Sequence, residues 1–368
     1  MKKIEYMLLT SAMGLGTYVP ALHIRDGLEE KGFSVKLCLY EDYFSDETMS
    51  EYKRSKDAYH KDMRVAVAAH KMASKRLKSA LKSETLERIL DEWQKDEVRK
   101  FVLLSGNWIT LVRRYKEERC QEIEAYIVHM DIGVAPSFKH FQNEDALFSE
   151  IYPIDSDGVH ALIDNHFEEK AATEREDNKI RLYVHGGGWG MGNYQSIADK
   201  LMLRDDIDLL LASYGTDEMK EGVTYSLLDA EWEPWKLDDN GRHQYPKMRT
   251  NLNNNQMVCI DNSYSNGLYS LYSQCDALIS KPGGATLMDS LIVGVPMIFI
   301  TPIAEHEKVN AEAGVKLGLG ISYEDWKESG FDVNILKKLK DNIQEIRRSK
   351  VGVTECILKG TASANGGG

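Results

Sequence analysis

Short apolar runs alternate with glycine-bearing turns and amphipathic stretches along most of this chain. Tyr6–Thr10 is an apolar run of strand length; Gly14 and Gly16 follow, then helical spacing from Tyr18 to Lys31, then a second run at Ser34–Leu39. A strand, a glycine loop, a helix and a strand in that order form the unit of a doubly wound α/β domain. Helical spacing resumes from about Ser50 to Lys100, and Phe101–Leu104 and Ala125–His129 predict further strands. Residues 168–179, EEKAATEREDNK, have no apolar period and read as a linker. A second series begins beyond it: a strand at Ile180–Val184, a glycine loop at His185–Gly192, a helix through about Leu203 and a strand at Asp208–Ser213. Residues 215–256 are polar, carry Trp232, Trp235 and a run of Asn, and read as an insertion or long loops. Met257–Asp261 predicts a strand, Leu268–Gln274 a helix and Ala277–Ser280 a strand. The turn Lys281-Pro282-Gly283-Gly284 then opens a helix, followed by the apolar run Met297–Ile300 and a polar loop holding Glu305, His306, Glu307 and Asn310. Residues 332–349 predict a C-terminal helix. The pattern predicts an α/β protein of two halves joined near residue 175, 1–170 with a helical insert at 50–100, and 180–350.

Charge narrows the partners. The formal net charge of −12 argues against a general nucleic-acid binder. Five cysteines lie scattered without a Cys-x-x-Cys pair, so neither a disulfide framework nor a cysteine zinc site is expected, and a reducing cytoplasm fits. The start, MKKIEYMLLTSAMGLG, reads as a first strand rather than a signal peptide, and no segment approaches the roughly 20 apolar residues of a membrane span. The tail TASANGGG reads as a flexible end. Against the acidic background, residues 53–82 carry ten Lys and Arg against two acids. Three readings stand for this segment: a solvated helical face, a peripheral contact with anionic lipid, and a surface near an anionic acceptor.

The chemistry concentrates in the glycine turns. Three of them (14–16, 186–192 and 283–284) fall at strand-to-helix transitions. Glycine lets the backbone approach a phosphate closely, and a helix N-terminus attracts the anion. None ends in the Gly-Lys-Ser/Thr of a P-loop, and Gly14-Leu15-Gly16 lacks the third glycine of the dinucleotide fingerprint. Asp289 lies one helical turn after Thr286, so both can face one ligand, and its carboxylate can accept from two vicinal hydroxyls.

These residues meet a family pattern. The run Gly186-Gly187-Gly188-Trp189-Gly190-Met191-Gly192 resembles the Gly-Gly-Gly-Glu-Gly-Met-Gly loop of monogalactosyldiacylglycerol synthases. Ser280–Thr286 is similar to their Lys-Pro-Gly-Gly-x-Thr turn, and Pro302–Asn310 to their Pro-Ile-Pro-Gly-Gln-Glu-x-x-Asn. More broadly the chain resembles the GT-B nucleotide-sugar glycosyltransferases, including the peptidoglycan-lipid N-acetylglucosaminyltransferase and natural-product enzymes. Gly16-Thr17-Tyr18-Val19-Pro20 looks like a degenerate Gly-His-x-x-Pro. The resemblance covers 180–320 and thins over 1–40; none is found over 45–100 or 215–256. It implies two facing Rossmann-like domains with a cleft between them, the GT-B architecture, and a hexosyltransferase of natural-product or glycolipid biosynthesis, inverting at the anomeric carbon, with a UDP-sugar as co-substrate. A cytoplasmic enzyme fits the scattered cysteines, and no cofactor or metal is required, since no metal cluster is evident and helix ends can neutralise a diphosphate. By position, Gly187, Gly188 and Met191 would lie near the diphosphate, with Gly283, Gly284 and Thr286 at the helix entrance beneath it. Asp289 would hold the ribose, Glu307 and Asn310 the sugar hydroxyls, and Asn262–Asn266 the base. Gly16, Thr17, Trp189 and His306 are candidates for the acceptor side, where His306 replaces the family's Gln and Trp189 an acidic residue.

Sugar transfer needs a group that takes the acceptor's proton. The family's His falls at Thr17, whose hydroxyl cannot serve alone, and His23 fits packing in a core or groove. The strand end YIVHMDIG offers His129 and Asp131, two apart and hence expected on one face. Asp131 is the first candidate for the base or its orienting partner, His129 the second. Two other readings remain: an epimerase or phosphorylase-like enzyme of the same fold, and a non-catalytic subunit that binds a sugar nucleotide.

Overall fold

The computed structural model describes residues 3–61, 64–65, 81–143, 146–164, 167, 179–215, 218–220, 223–251, 258–259 and 264–360. The first lobe is a parallel sheet in the order β2-β1-β3-β4-β5. Its strands are β1 (Tyr6–Thr10), β2 (Val35–Leu39), β3 (Lys100–Leu103), β4 (Glu124–Val128) and β5 (Phe148–Ile151). Between them run α1 (Tyr18–Glu30), α2 (Asp46–Lys61), α3 (Ser83–Lys95) and α4 (Ile109–Glu118). β1 is buried along its whole length because helices cover both faces of the sheet, which is why it reads as an unbroken apolar run.

A short strand, β6 (Ala161–Leu162), leads toward the second lobe, whose sheet runs β11-β10-β9-β8-β7-β12-β13-β14. Its strands are β7 (Ile180–Val184), β8 (Ile207–Ser213), β9 (Thr224–Leu228), β10 (Met248–Thr250), β11 (Val258–Cys259), β12 (Ala277–Ser280), β13 (Met297–Phe299) and β14 (Gly320–Ser322). The helices are α5 (Tyr194–Leu201), α6 (Tyr264–Ser273), α7 (Gly284–Val293), α8 (Glu305–Lys316), α9 (Tyr323–Glu328) and α10 (Val333–Arg347). Strand β15 (Val351–Gly352) pairs with β6, and α11 (Val353–Lys359) carries the chain back against α1. The protein is thus two mixed α/β, Rossmann-like lobes facing a central cleft.

Three readings of the pattern change. The polar stretch 215–256 holds β9, parallel to β8, and β10, antiparallel to β9. These strands are short and edgeward, so their apolar alternation is weak. Glu305, His306, Glu307 and Asn310 lie on a helix, not in a loop; acids in a first turn suit the helix dipole, and Ala304 enters it in extended conformation. The C-terminal helix α11 was not signalled by a separate apolar period.

Among the described residues, three seams between the lobes border the cleft. On α1, Tyr18 Oη donates to the Gln244 carbonyl at 2.7 Å, Arg25 Nη1 to the His243 carbonyl at 2.7 Å, and the Tyr245 hydroxyl to Asp26 at 2.7 Å. His23 is buried here beside Tyr245 and Tyr269, a packing position. On α2, Lys53 pairs with Glu233 at 2.6 Å, and His60 bridges the Gly190 carbonyl at 2.9 Å and Glu218 at 2.5 Å. Part of the basic insert therefore faces the second lobe; residues 66–80 lie outside the described residues. The third seam sets the turn Met130–Gly133 against α7 and α8. A Cβ at Gly133 would stand 2.6 Å from the His306 Cα, and one at Gly284 1.9 Å from the Met130 carbonyl oxygen.

Gly133→Ala forces backbone against backbone at this seam. It should cost about 1–3 kcal/mol in urea unfolding and raise the radius of gyration in solution scattering, with far-UV circular dichroism unchanged.

Candidate active site

In a doubly wound sheet the ligand crevice lies at the carboxyl ends of strands where the order reverses. Here the reversals fall between β1 and β3 in one sheet and between β7 and β12 in the other. The two switch points face each other across a cavity of about 330 Å³. From the first lobe come the turn after β1 (Ser11, Gly14–Thr17), Ser105 and Asn107 after β3, and Met130 and Asp131 after β4. From the second come His185 and Gly187–Trp189 after β7, Lys281 and Gly283–Thr286 after β12, Asp289, His306 and Glu307.

The glycine turns are needed for backbone shape. Gly187 and Gly190 adopt φ of 73° and 61°, a region that disfavours side chains. A Cβ on Gly188 would meet Leu15 of the first lobe at 2.8 Å, so the opposing turns interlock. Lys281 lies between the glycine turns of the second lobe: its Nζ would stand 3.7 Å from a Cβ at Gly187 and 3.6 Å from one at Gly283. Its ammonium pairs with Glu307, whose other oxygen accepts from the Ile303 amide at 2.8 Å. Burial opposes ionisation of Glu307, but the Lys281 charge overcomes it and holds the carboxyl below the usual range. The ammonium thus sits, paired with Glu307, beside the entrance of α7. The Lys281 side chain was absent from the sequence expectation, although it sits inside the Lys-Pro-Gly-Gly turn.

Asp131 and Asn310 meet. Asp131 Oδ1 accepts from the Gly284 amide at 3.0 Å and from Asn310 Nδ2 at 2.8 Å. Asn310, fully buried, also donates to the Pro282 carbonyl at 2.9 Å, and its Oδ1 accepts from the Ile132 and Gly133 amides at 2.8 and 3.2 Å. Asn310 therefore stands behind the cavity wall and faces the other lobe, not a sugar pocket. Asp131 covers the first amide of α7 and leaves those of Ala285 and Thr286 without an intrahelical acceptor.

His129 is placed elsewhere. Its Nε2 bonds Glu150 at 2.9 Å and its ring stacks on Tyr152 at 4.3 Å, outside the cavity. The expected common face with Asp131 fails because β4 ends at Val128 and the pleat does not continue through residue 131. Thr286 and Asp289 do share the cavity side of α7. Burial pushes the Asp289 carboxyl up to about 7, and Tyr269 Oη donates to it at 2.8 Å. Met191 lines the cavity; Trp189 does too, packed between Tyr59 and Tyr52 of α2 at 5.8 and 5.6 Å. Thr17 spends its hydroxyl on the Ser11 carbonyl at 2.9 Å. Buried Glu41 accepts from Ser11 Oγ at 2.6 Å and the Ala12 amide at 2.9 Å, fixing the start of this turn. The Asn262–Asn266 stretch lies outside the residues whose side chains are described. Among the described residues no group of three or more His, Cys, Asp or Glu is placed to hold a metal ion, and no helix is long and apolar enough to cross a membrane.

Comparison with known proteins agrees with this architecture. Residues 239–353 match the glycosyltransferase family 28 C-terminal domain. A processive diacylglycerol beta-glucosyltransferase of Bacillus subtilis (strain 168) is 24% identical over 192 residues, 50% of this chain and 44% of that protein. A UDP-N-acetylglucosamine–N-acetylmuramyl-(pentapeptide) pyrophosphoryl-undecaprenol N-acetylglucosamine transferase of Francisella philomiragia is 24% identical over 180 residues, 46% of this chain and 43% of that protein. The chain thus spans less than half the length of these curated relatives. Among solved structures, MurG of Acinetobacter baumannii superposes with a TM-score of 0.53 at 12% identity, covering 96% of this chain and 99% of that one. The glycosyltransferase VinC in complex with dTDP gives 0.56 at 9% identity, covering 96% and 98%. The fold is the two-lobed GT-B fold of these enzymes.

Because the folded Asp289 carboxyl ionises near 7 while a free carboxyl ionises near 4, its protonated form stabilises the fold fully at low pH. That contribution is lost as pH rises through about 7. Asp289→Asn should therefore raise the unfolding free energy read from urea denaturation more at pH 8 than at pH 5, by about 2 kcal/mol once the solvent reaching its cavity side is allowed for.

Proposed function

We propose that this chain is an inverting glycosyltransferase that moves a hexose-type sugar from a UDP-sugar to a hydroxyl of a small-molecule or lipid-linked acceptor. The observation that carries the reading is the Lys281 ammonium, held between the Gly187 and Gly283 turns at the β7/β12 switch point, with Asp289 one helical turn further along α7. A diphosphate fits the first group of features and a ribose the second. The names of the curated relatives, a diacylglycerol glucosyltransferase and a UDP-N-acetylglucosamine-dependent transferase, point the same way.

In this reading the diphosphate lies against Gly187, Gly188, Met191 and the Gly283–Thr286 helix entrance. Lys281 and the free α7 amides neutralise charge as the leaving group forms, the term that dominates such sites. Ionised Asp289 accepts from the ribose hydroxyls. Glu307 holds Lys281 and keeps lone pairs for a sugar hydroxyl, while Gly16, Thr17, Trp189 and His306 border the acceptor. Asp131 takes the acceptor's proton on Oδ2, which makes no protein hydrogen bond among the described residues. The acceptor oxygen bonds to the anomeric carbon, the bond from that carbon to the diphosphate oxygen breaks, and UDP leaves. Asn310 positions Asp131 through its amide. His129, tied to Glu150, takes no part.

The engagement of Asp131 Oδ1 with Gly284 and Asn310 favours one second reading, in which Asp131 only joins the lobes and the chain binds sugar nucleotide without turnover. Asp131→Asn separates the two. UDP should raise the Tm of the wild type and of the variant by similar amounts. UDP release from UDP-glucose, UDP-galactose or UDP-N-acetylglucosamine should fall about 10²–10⁴-fold in the variant. Full turnover in Asp131→Asn would remove it as the base, and an inert wild type that still binds UDP would favour the binding subunit.

Ribose hydroxyls favour the ionised Asp289, so UDP binding should release a proton near neutrality. Affinity should rise as pH climbs through about 7 and level off above it. Calorimetry in buffers of different ionisation enthalpy reads this directly, and Asp289→Asn should abolish the pH dependence.

A further inference from the structure

One buried polar group in the cavity wall has no assigned work. His185, at the end of β7, is 6% exposed, and its Nδ1 accepts from the Gly187 amide at 3.2 Å. The rings of Tyr183 and Tyr272 flank it, with centroids 5.6 and 5.9 Å away. Its Nε2 is buried without a hydrogen-bond partner. Burial, and then the like charge of Lys281, push its pKa down to about 3, so the imidazole is neutral at physiological pH. A neutral imidazole with Nδ1 accepting carries its proton on Nε2. The result is an N–H, fixed in orientation by the loop and by two aromatic rings, with no protein acceptor, on a residue lining the cavity.

A buried N–H left unpaired is costly, and a ligand oxygen removes that cost. The ring is close enough to Lys281 for the ammonium to depress its ionisation, and Lys281 selects an anionic oxygen. In a nucleoside diphosphate only the phosphates carry such oxygens.

We propose that His185, as a neutral imidazole, donates its Nε2–H to a phosphate oxygen of the bound nucleoside diphosphate, beside Lys281. This rests on the nucleotide-sugar reading above and adds a residue to it that none of the sequence motifs assigned. His185 is a hydrogen-bond donor here, not a cation or a base. Its neutrality lets it sit next to Lys281 without repulsion. Its bond to the Gly187 amide couples the shape of the glycine loop to occupancy of the phosphate site.

Two substitutions separate the ring's edges. Asn at 185 can keep an acceptor near the Nδ1 position but loses the donor at Nε2; Gln places an amide donor near Nε2 but loses the loop contact. Calorimetric titration of the full chain with UDP, and chemical-shift titration with uridine, should show UDP about tenfold weaker in His185→Asn. Uridine should be unchanged, and His185→Gln should lie within about threefold of wild type for UDP. Equal UDP affinity in His185→Asn and wild type overturns the proposal, as does a uridine loss as large as the UDP loss. A Gln variant as weak as the Asn variant also overturns it, because UDP would then not sense the Nε2 donor. If the folded wild type binds neither UDP nor dTDP, the nucleotide-sugar reading fails with it; if the wild type binds UDP and the variants match it, only the role of His185 fails.

Discussion

The Asn310 side chain is the joint on which the site depends. One buried amide bonds the turn after β4 in the first lobe and the turn after β12 in the second, through Asp131, Ile132, Gly133 and Pro282. Each bond contributes about 1 kcal/mol net, and separating the lobes would exchange three of the four for water. Closure then puts the carboxylate of one lobe on the helix entrance of the other, and every remaining feature of the cavity follows from that register. The two glycines at the joint, Gly133 and Gly284, permit it because backbone meets backbone there.

Charge inside the cavity is arranged around Lys281. Glu307 compensates it on one side, and the space between the glycine turns lies on another. Elsewhere the carboxylates near the cleft are matched to donors: Asp131 to two N–H groups, Glu41 to Ser11 and the Ala12 amide. Asp289 departs from this, with the Tyr269 hydroxyl its one donor among the described residues and a pKa raised to about 7, and His185 Nε2 departs from it as an unpaired N–H. A carboxyl short of donors and an N–H short of an acceptor, in one cavity beside a lysine, are complementary to hydroxyls and to phosphate oxygen.

The alternation of apolar runs and glycine turns carried most of the fold. β1, β7, β8 and β12 were readable because burial on both faces leaves little room for polar residues. β9 and β10 were not, since short strands near a sheet edge need few apolar positions. Gly187, Gly188, Gly283, Thr286 and Asp289, named from the family resemblance, line one cavity, and a turn and one helical repeat fix their relative positions. His129 was misplaced by the same kind of argument, since strand geometry was extended past the last paired residue.

What the sequence by itself determined is local: which segments are strands, where the backbone turns on glycine, and which carboxylate lies one helical turn from a phosphate-type loop. Those follow from torsional freedom and periodicity over a few residues. What only the tertiary structure decided is which distant groups meet. Asn310 faces Asp131 across 179 positions of sequence. The basic segment's first helix lies on the glycine loop, and His185 is neutral because burial and Lys281 make it so. Long-range contact and desolvation depend on the packing of the whole chain, and no spacing within a segment encodes them.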